Sequence, residues 1–278
     1  MTIKDTTFLL LDVGNTRVKW ALVRVNSKAQ KSTRWLAEGA CAHDQIGGLL
    51  REWDAQPMPD RVFGANVAGR LAAPQIETYW QQRGVPLCWA QAQAACCGVS
   101  NMYEQPEQLG VDRWAALVGA WSRLHSACLV VSAGTALTID TLDAHGNFQG
   151  GMILPGRRLM QASLADGTHA LTATTTATAG QITSTPRNTF DAIASGIAAA
   201  LATPVREAYA RLADSSASVP NKTSPTCVLT GGDAGWLSGQ LEIGCTIAPR
   251  LISPGLILAA PRLVLEGLLE MVLEESIK

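Results

Sequence analysis

The chain has 278 residues, 47% of them apolar, and a formal net charge of −1. That length suits two domains of ordinary size with a core in each, and the near-zero charge gives no electrostatic basis for binding nucleic acid or an anionic membrane. No run approaches the roughly 20 uninterrupted apolar residues of a membrane span, and the first apolar run ends at Asp12, too early for a secretion signal. The seven cysteines (Cys41, Cys88, Cys96, Cys97, Cys128, Cys227 and Cys245) are odd in number, irregular in spacing and without a C-x-x-C pair. They read as reduced thiols of a cytoplasmic protein. The histidines at 43, 125, 145 and 169 add no zinc-ligand spacing.

In chain order, Phe8–Leu11 is a short buried strand, and Thr16–Val25 alternates as its returning partner. Ala42–Asp54 is predicted helical, with Ile46, Leu49, Leu50 and Trp53 at helical spacing. Arg61–Val67 is a strand, Leu71–Arg83 a helix and Val85–Ala90 a further strand. Leu109–His125 is predicted as a long helix with Trp114, Leu117, Val118 and Trp121 on its buried stripe, and the domain boundary is expected near residue 118, giving domains 1–118 and 119–278. Gly150 to Gly156 leads into a helix from about Arg157 to Ala165. Thr172–Thr185 and Ser215–Thr226 read as polar loops. Asp191–Ala210 is a helix, Cys227–Asp233 a strand running into a glycine turn, and Leu263–Leu273 a core-facing helix. Trp20, Trp53, Trp114 and Trp121 are read as core.

One pattern occurs twice. Leu9-Leu10-Leu11-Asp12-Val13-Gly14-Asn15-Thr16 reappears in outline as Leu129-Val130-Val131-Ser132-Ala133-Gly134-Thr135-Ala136, with Gly14 and Gly134 120 residues apart. A buried strand, a tight glycine turn and a returning strand make a hairpin whose turn N–H groups form an anion-binding concavity. Two of them at domain spacing imply a duplicated α/β architecture of actin-like (ribonuclease H-like) domains, with a nucleotide in the interdomain cleft, and point to phosphoryl transfer. Walker lysine, Rossmann and nucleophile-elbow motifs are absent from the sequence.

Within the first turn, Asp12 has the chemistry to hold magnesium beside a phosphate. Gly14 permits close approach, Asn15 and Thr16 are potential donors, and Lys19 adds positive charge. The same residues also suit an ordinary turn. Asp112, at the start of a helix, is a candidate base for a substrate hydroxyl, and Arg113 can pair with a substrate carboxylate; Asp in a first helical turn also has a purely structural reading. Gly231-Gly232 can let an adenine ring lie against backbone or serve as a plain turn.

These residues, together with Leu109-Gly110-Val111-Asp112-Arg113-Trp114, Gly150-Gly151 through Pro155-Gly156, Asn188-Thr189, Leu229-Thr230-Gly231-Gly232 and Leu263 to Leu268, resemble the type III pantothenate kinases. That family lies in the superfamily of acetate and sugar kinases, actin and heat-shock ATPases, and its label also covers accessory-factor proteins first named for a regulatory role. The resemblance runs nearly end to end. It implies ATP-dependent phosphorylation of pantothenate, the first step of coenzyme A biosynthesis, with Asp112 as general base. It further implies pantothenate contacts from Tyr103, Gly110, Val111, Arg113 and, from a neighbouring subunit of a homodimer, Thr189. ATP and Mg²⁺ would be held by Asp12, Val13, Gly14, Asn15, Thr16, Arg17, Lys19, Gly134, Thr135, Gly231 and Gly232. One position departs from the family pattern. The second hairpin commonly begins with Asp, associated with a required monovalent cation (K⁺ or NH₄⁺), and here it is Ser132, which is uncharged and binds a cation more weakly.

Two alternatives stay open on the residues: a kinase of this fold acting on another small hydroxy acid or sugar, and a regulatory protein that binds nucleotide without turnover.

Overall fold

The first apolar run folds as strand β1 (Thr6–Val13) and turns at Gly14–Thr16 into antiparallel β2 (Arg17–Asn26), as the doubled motif requires. The structure is a computed structural model and describes residues 5–26, 32–167, 180–217, 224–242 and 252–276. Strand β3 (Ser32–Ala42) pairs antiparallel with β2, and a 3-10 turn at His43–Gln45 leads into helix α1 (Ile46–Asp54). Strand β4 (Arg61–Asn66) lies parallel to β1, helix α2 (Ala73–Gln82) follows, and β5 (Leu87–Trp89) is parallel to β4. A small hairpin of β6 (Ala95–Cys96) and β7 (Val99–Asn101) precedes helix α3 (Val111–Leu124).

The second pattern repeats this scheme. Strands β8 (Cys128–Ala133) and β9 (Ala136–Leu142) form a hairpin, and β10 (Asn147–Pro155) is antiparallel to β9. Helices α4 (Arg157–Gly167) and α5 (Thr189–Ala217) precede β11 (Thr226–Thr230), which is parallel to β8. Helix α6 (Ala234–Glu242) leads to β12 (Ile257–Ala259), parallel to β11, and α7 (Leu263–Glu275) closes the chain.

Two compact units result: residues 1–122 with 263–278, and residues 123–262. In the first, the strand order is β3-β2-β1-β4-β5; within the second it is β10-β9-β8-β11-β12. Among the five strands named in each unit, the leading hairpin strand (β1 or β8) lies in the middle, with two strands on one side that each run antiparallel to the one before and two parallel strands on the other. The duplication expected from the sequence motif is a duplication of topology.

In the first unit β1 is buried along almost its whole length, because helices cover both faces of the sheet. Leu9, Leu11 and Val13 join Trp20, Ile46, Trp53, Ile76 and Trp80 in one core. Trp53 packs against Trp20 with ring centroids 6.2 Å apart and against Trp80 at 5.5 Å, geometries that add about 0.5–1.5 kcal/mol per pair beyond area burial. The period of two turns Phe8, Leu10 and Asp12 to the opposite face, on which side α7 packs against β1 and β4. Helices α3 and α7 touch through backbone. A Cβ on Gly267 would strike the carbonyl of Ala115, and one on Gly119 would strike that of Leu263. The core of the second unit joins Leu129, Val131, Leu137 and Ile139 of its sheet to Ile197, Leu201 and Val205 of α5.

Several expectations shift. The terminal helix belongs to the first unit, whereas the sequence division at residue 118 assigns it to the second. Helix α5 continues to Ala217, through Pro204 and into the segment read as a loop from Ser215. Of the two polar stretches, residues 172–179 and 218–223 lie outside the described residues, as do His169 and Cys245. Strand β3, the β6–β7 hairpin and α6 have no counterpart in the sequence reading. Trp20, Trp53 and Trp114 are buried and Trp121 is half-buried. Among the described residues no helix is long and apolar enough to cross a membrane.

Candidate active site

The β1–β2 register sets Asp12 opposite Lys19, and Lys19 Nζ donates to Asp12 Oδ2 at 3.0 Å. The carboxylate is nearly buried, with 7% of its side chain exposed, against 37% for the lysine. The turn between the strands is closed by Gly14 N–H donating to the Arg17 carbonyl at 3.2 Å, leaving Asn15, Thr16 and Arg17 exposed. Pairing of Arg17 with Ala42 brings the end of β3 alongside. His43, the next residue, donates from Nε2 to the Gly14 carbonyl at 2.8 Å, a contact that sequence reasoning missed.

Asp112 lies in the first turn of α3. Its Oδ1 accepts from the Arg113 N–H at 2.8 Å, and a Cβ on Gly110 would come within 2.8 Å of that oxygen. Burial pushes the Asp112 carboxyl above the usual carboxylate range, and the negative charge of Asp12 adds to the rise, while bonds from backbone N–H groups and the Arg113 charge act the other way. Arg113 is itself buried and donates from Nη1 to the Tyr103 hydroxyl at 3.2 Å. Asp12, Lys19, Gly110, Asp112, Arg113 and Tyr103 are therefore all placed by the first unit, with Val111 half-buried at the start of α3.

The second unit builds a matching turn. Gly134 N–H donates to the Ala136 carbonyl at 3.0 Å, and Gly156 N–H to the Thr135 carbonyl at 2.9 Å. Gly231 has φ +96°, and a Cβ there would meet the Ala133 carbonyl, so both conformation and space require glycine. Beyond it Asp233 N–H reaches the Ala133 carbonyl at 2.9 Å, and Gly232 is exposed. Arg157, at the start of α4, pairs with Asp233 at 2.9 Å and lies 5.0 Å from the Trp236 ring centroid. Arg157, Asp233 and Trp236 line a small cavity with Gly134 and Gly156; none of the three charged or aromatic side chains has a local sequence signal.

Ser132 pairs with Thr138 on β9 and with Thr230 on β11. Residues in register share a face, so three hydroxyl-bearing residues form a row across the sheet, with no carboxylate among them. Thr189, the first residue of α5, is exposed. The neighbouring residues have structural work: Asn188 Oδ1 accepts from the Asp191 N–H at 2.9 Å, and Asn188 Nδ2 donates back to Asp191 at 2.7 Å, a helix cap.

Comparison with known proteins identifies the family of the chain. The family model for type III pantothenate kinase matches residues 8–211. A protein of Azoarcus sp. (strain BH72) named type III pantothenate kinase is 44% identical over 91% of this chain and 90% of its own length. One of the same name from Dechloromonas aromatica (strain RCB) is 42% identical over 88% and 95%. Among solved structures, a putative Baf family transcriptional activator from Campylobacter jejuni superposes with TM-score 0.58 at 18% identity, covering 97% of this chain and all of the other. A putative 2-dehydro-3-deoxygalactonokinase from Sinorhizobium meliloti gives TM-score 0.52 at 16% identity, covering 96% and 99%. At those identities the structural likenesses speak for the fold alone, the duplicated actin-like α/β fold. With the family model spanning well over half its length and relatives above 40% identity across nine-tenths of it, the chain belongs to the type III pantothenate kinase family.

Proposed function

We propose that this protein transfers the γ-phosphoryl group of ATP to the primary hydroxyl of pantothenate, with Asp112 as the general base. The observation that carries the residue assignment is the state of Asp112. Its carboxyl is raised by burial and by Asp12, which brings its basicity closer to the pH at which it must accept a proton. It also sits one residue from Arg113, whose guanidinium is held by Tyr103 and is suited to a substrate carboxylate.

The glycines support a phosphate role for both turns. At Gly231 and Gly156 the fold itself forbids a side chain. At Gly14, Gly134 and Gly232 it does not: a Cβ would meet nothing closer than 3.5 Å, 3.8 Å and 4 Å respectively, and none of the three has a positive φ. Close approach of a ligand explains glycine there. Asn15 and Thr16 in the first unit and Thr135 in the second then contact phosphate oxygens, with Val13 and Arg17 flanking the first turn and Gly231-Gly232 beside the base.

A kinase of this family works with a divalent cation, and the nearly buried Asp12 carboxylate offers the hard oxygen ligand that Mg²⁺ prefers. When bound, the ion neutralises charge on the phosphates. Lys19 keeps Asp12 charge-compensated before that. The protein's own part is to orient the hydroxyl, accept its proton at Asp112, and hold the phosphates with backbone donors fixed in advance. The row of Ser132, Thr138 and Thr230 offers neutral oxygens to a monovalent cation. We assign Thr189 to the pantothenate site of a second copy in a homodimer, on the resemblance together with its exposure at a helix start.

The experiment is phosphorylation of pantothenate by purified protein with Mg²⁺ and ATP, against sugars at equal concentration and with K⁺, NH₄⁺ or Na⁺ as the only monovalent cation. Turnover selective for pantothenate supports the reading. ATP binding without turnover on any acceptor would move the assignment to a regulatory protein, the reading favoured by the uncharged Ser132 row.

A further inference from the structure

The hairpin turn between β6 and β7 brings two adjacent thiols together. Consecutive residues of a strand point to opposite faces, which separates neighbouring cysteines. Here Cys96 ends β6, and Cys97 opens the turn with φ +51°, followed by Gly98 at +80°. Two positive φ values in a two-residue loop are the signature of a tight primed turn, and a non-glycine residue in that region is uncommon. The result places Cys96 Sγ and Cys97 Sγ 3.4 Å apart. A third group arrives from the far end of the chain. Glu274, in the last turn of α7, has Oε2 3.2 Å from Cys96 Sγ and Oε1 3.1 Å from the Cys97 N–H. The three ligand atoms lie within 4.8 Å of one another, with Cys96 buried and the other two half-buried.

We propose that Cys96, Cys97 and Glu274 form a binding site for a thiophilic divalent cation, Zn²⁺ by its chemistry, separate from the magnesium of the nucleotide. Two sulfurs and a carboxylate exclude Mg²⁺ and suit a borderline-soft ion. Tetrahedral zinc with Zn–S near 2.3 Å sets its sulfurs about 3.8 Å apart, a small opening from the observed 3.4 Å. Three protein ligands leave the fourth position to water. On binding, each thiol gives its proton to solvent and the carboxylate keeps its charge. The ion ties the β6–β7 hairpin to α7 across 177 residues of chain, closing a long loop and so favouring the folded state.

The test uses the full chain, reduced and stripped of metal, titrated with Co²⁺ and then Zn²⁺ without nucleotide. Expected are a thiolate-to-cobalt charge-transfer band that saturates at one ion per chain, its loss on adding Zn²⁺, and a higher melting temperature with Zn²⁺. Cys97→Gly should abolish both the band and the zinc-dependent shift while melting no lower than wild type without metal, since glycine accepts the positive φ at no cost. Glu274→Gln should weaken Co²⁺ binding at least about tenfold. Cys96→Ser is the second thiol variant, and keeps the test decisive if Cys97→Gly does not fold. Absence of the band in wild type, or an unchanged band in the thiol variants (which would place the ion on other cysteines), overturns the proposal.

Discussion

His43 Nε2 donates to the carbonyl oxygen of Gly14 at 2.8 Å, fixing the first hairpin turn from a residue 29 positions away. Because the carbonyl can only accept, Nε2 carries the proton. Nδ1 is buried and has no hydrogen-bond partner among the described residues. A histidine held this way fits a positioning role on the turn backbone. Replacing it with Ala removes a bond worth about 1 kcal/mol, so the KM for ATP should rise roughly fivefold while that for pantothenate stays near wild type. Steady-state kinetics with each substrate varied in turn will separate these.

For Asp112→Asn, turnover should fall by roughly 10²–10⁴, the range for losing a general base. Stability should move the other way. The folded-state pKa of Asp112 is raised, so the folded protein holds this proton more tightly than the unfolded chain does. That contribution is fully favourable below the unfolded pKa and is lost as pH rises through the folded one. At neutral pH the ionised carboxylate is therefore a cost, and Asn removes it while keeping an acceptor for the Arg113 N–H. The variant should melt above wild type at pH 7 without nucleotide, and the gap should close in acid. Near-wild-type turnover would remove Asp112 from the chemistry.

Arg113 and Tyr103 give a graded pair. Arg113→Lys keeps the charge and loses the planar fork. A hydrogen bond to a charged group contributes about 1.5–3 kcal/mol, so the KM for pantothenate should rise roughly 10- to 100-fold. Tyr103→Phe removes only the 3.2 Å hydroxyl contact, and an effect of about fivefold is expected. Equal effects of the two substitutions would contradict carboxylate binding by Arg113.

Glycine substitutions separate folding from binding. Gly156→Ala puts a methyl against the carbonyls of Gly134 and Thr135 and should cost about 1–3 kcal/mol or more in stability, as overpacking does. In Gly14→Ala the nearest atom is the Arg17 carbonyl oxygen at 3.5 Å, an ordinary contact. That variant should keep its melting temperature and lose ATP affinity. Calorimetry and nucleotide titration of both will show which turn glycine serves which purpose.

The hydroxyl row predicts a gain. Ser132→Asp adds a charge between Thr138 and Thr230, and unit charges about 4 Å apart interact by about 4 kcal/mol at an effective dielectric of 20, before desolvation. The K⁺ concentration for half-maximal turnover should drop by about tenfold or more. An unchanged K⁺ response would place the monovalent ion elsewhere or remove it from the enzyme.

What the sequence reveals here is what its local patterns can carry. The two hairpins are legible because strand, glycine turn and return strand are contiguous, and the duplicated topology follows from their spacing. Asp112 and Arg113 are legible as a helix start with unusual chemistry. Strand β3 is not, since its burial follows no period of two. The contacts beside each turn are long-range within their own unit: Arg157 with Asp233 across 76 positions in the second, His43 with Gly14 across 29 in the first. Cys96 and Cys97 are joined by a carboxylate only once α7 delivers Glu274, and no spacing rule reaches that far.

The return of α7 to the first unit sets an order of events on the ribosome. Residues 123–262 form a contiguous unit that can complete its contacts as soon as it has been synthesised. The first unit, although begun earlier, lacks the helix whose Gly267 and Leu263 meet α3, and so it waits until residues 263–275 have been made. A message truncated before Leu263 would leave β1 and β4 without the helix that packs on the side of Phe8 and Leu10.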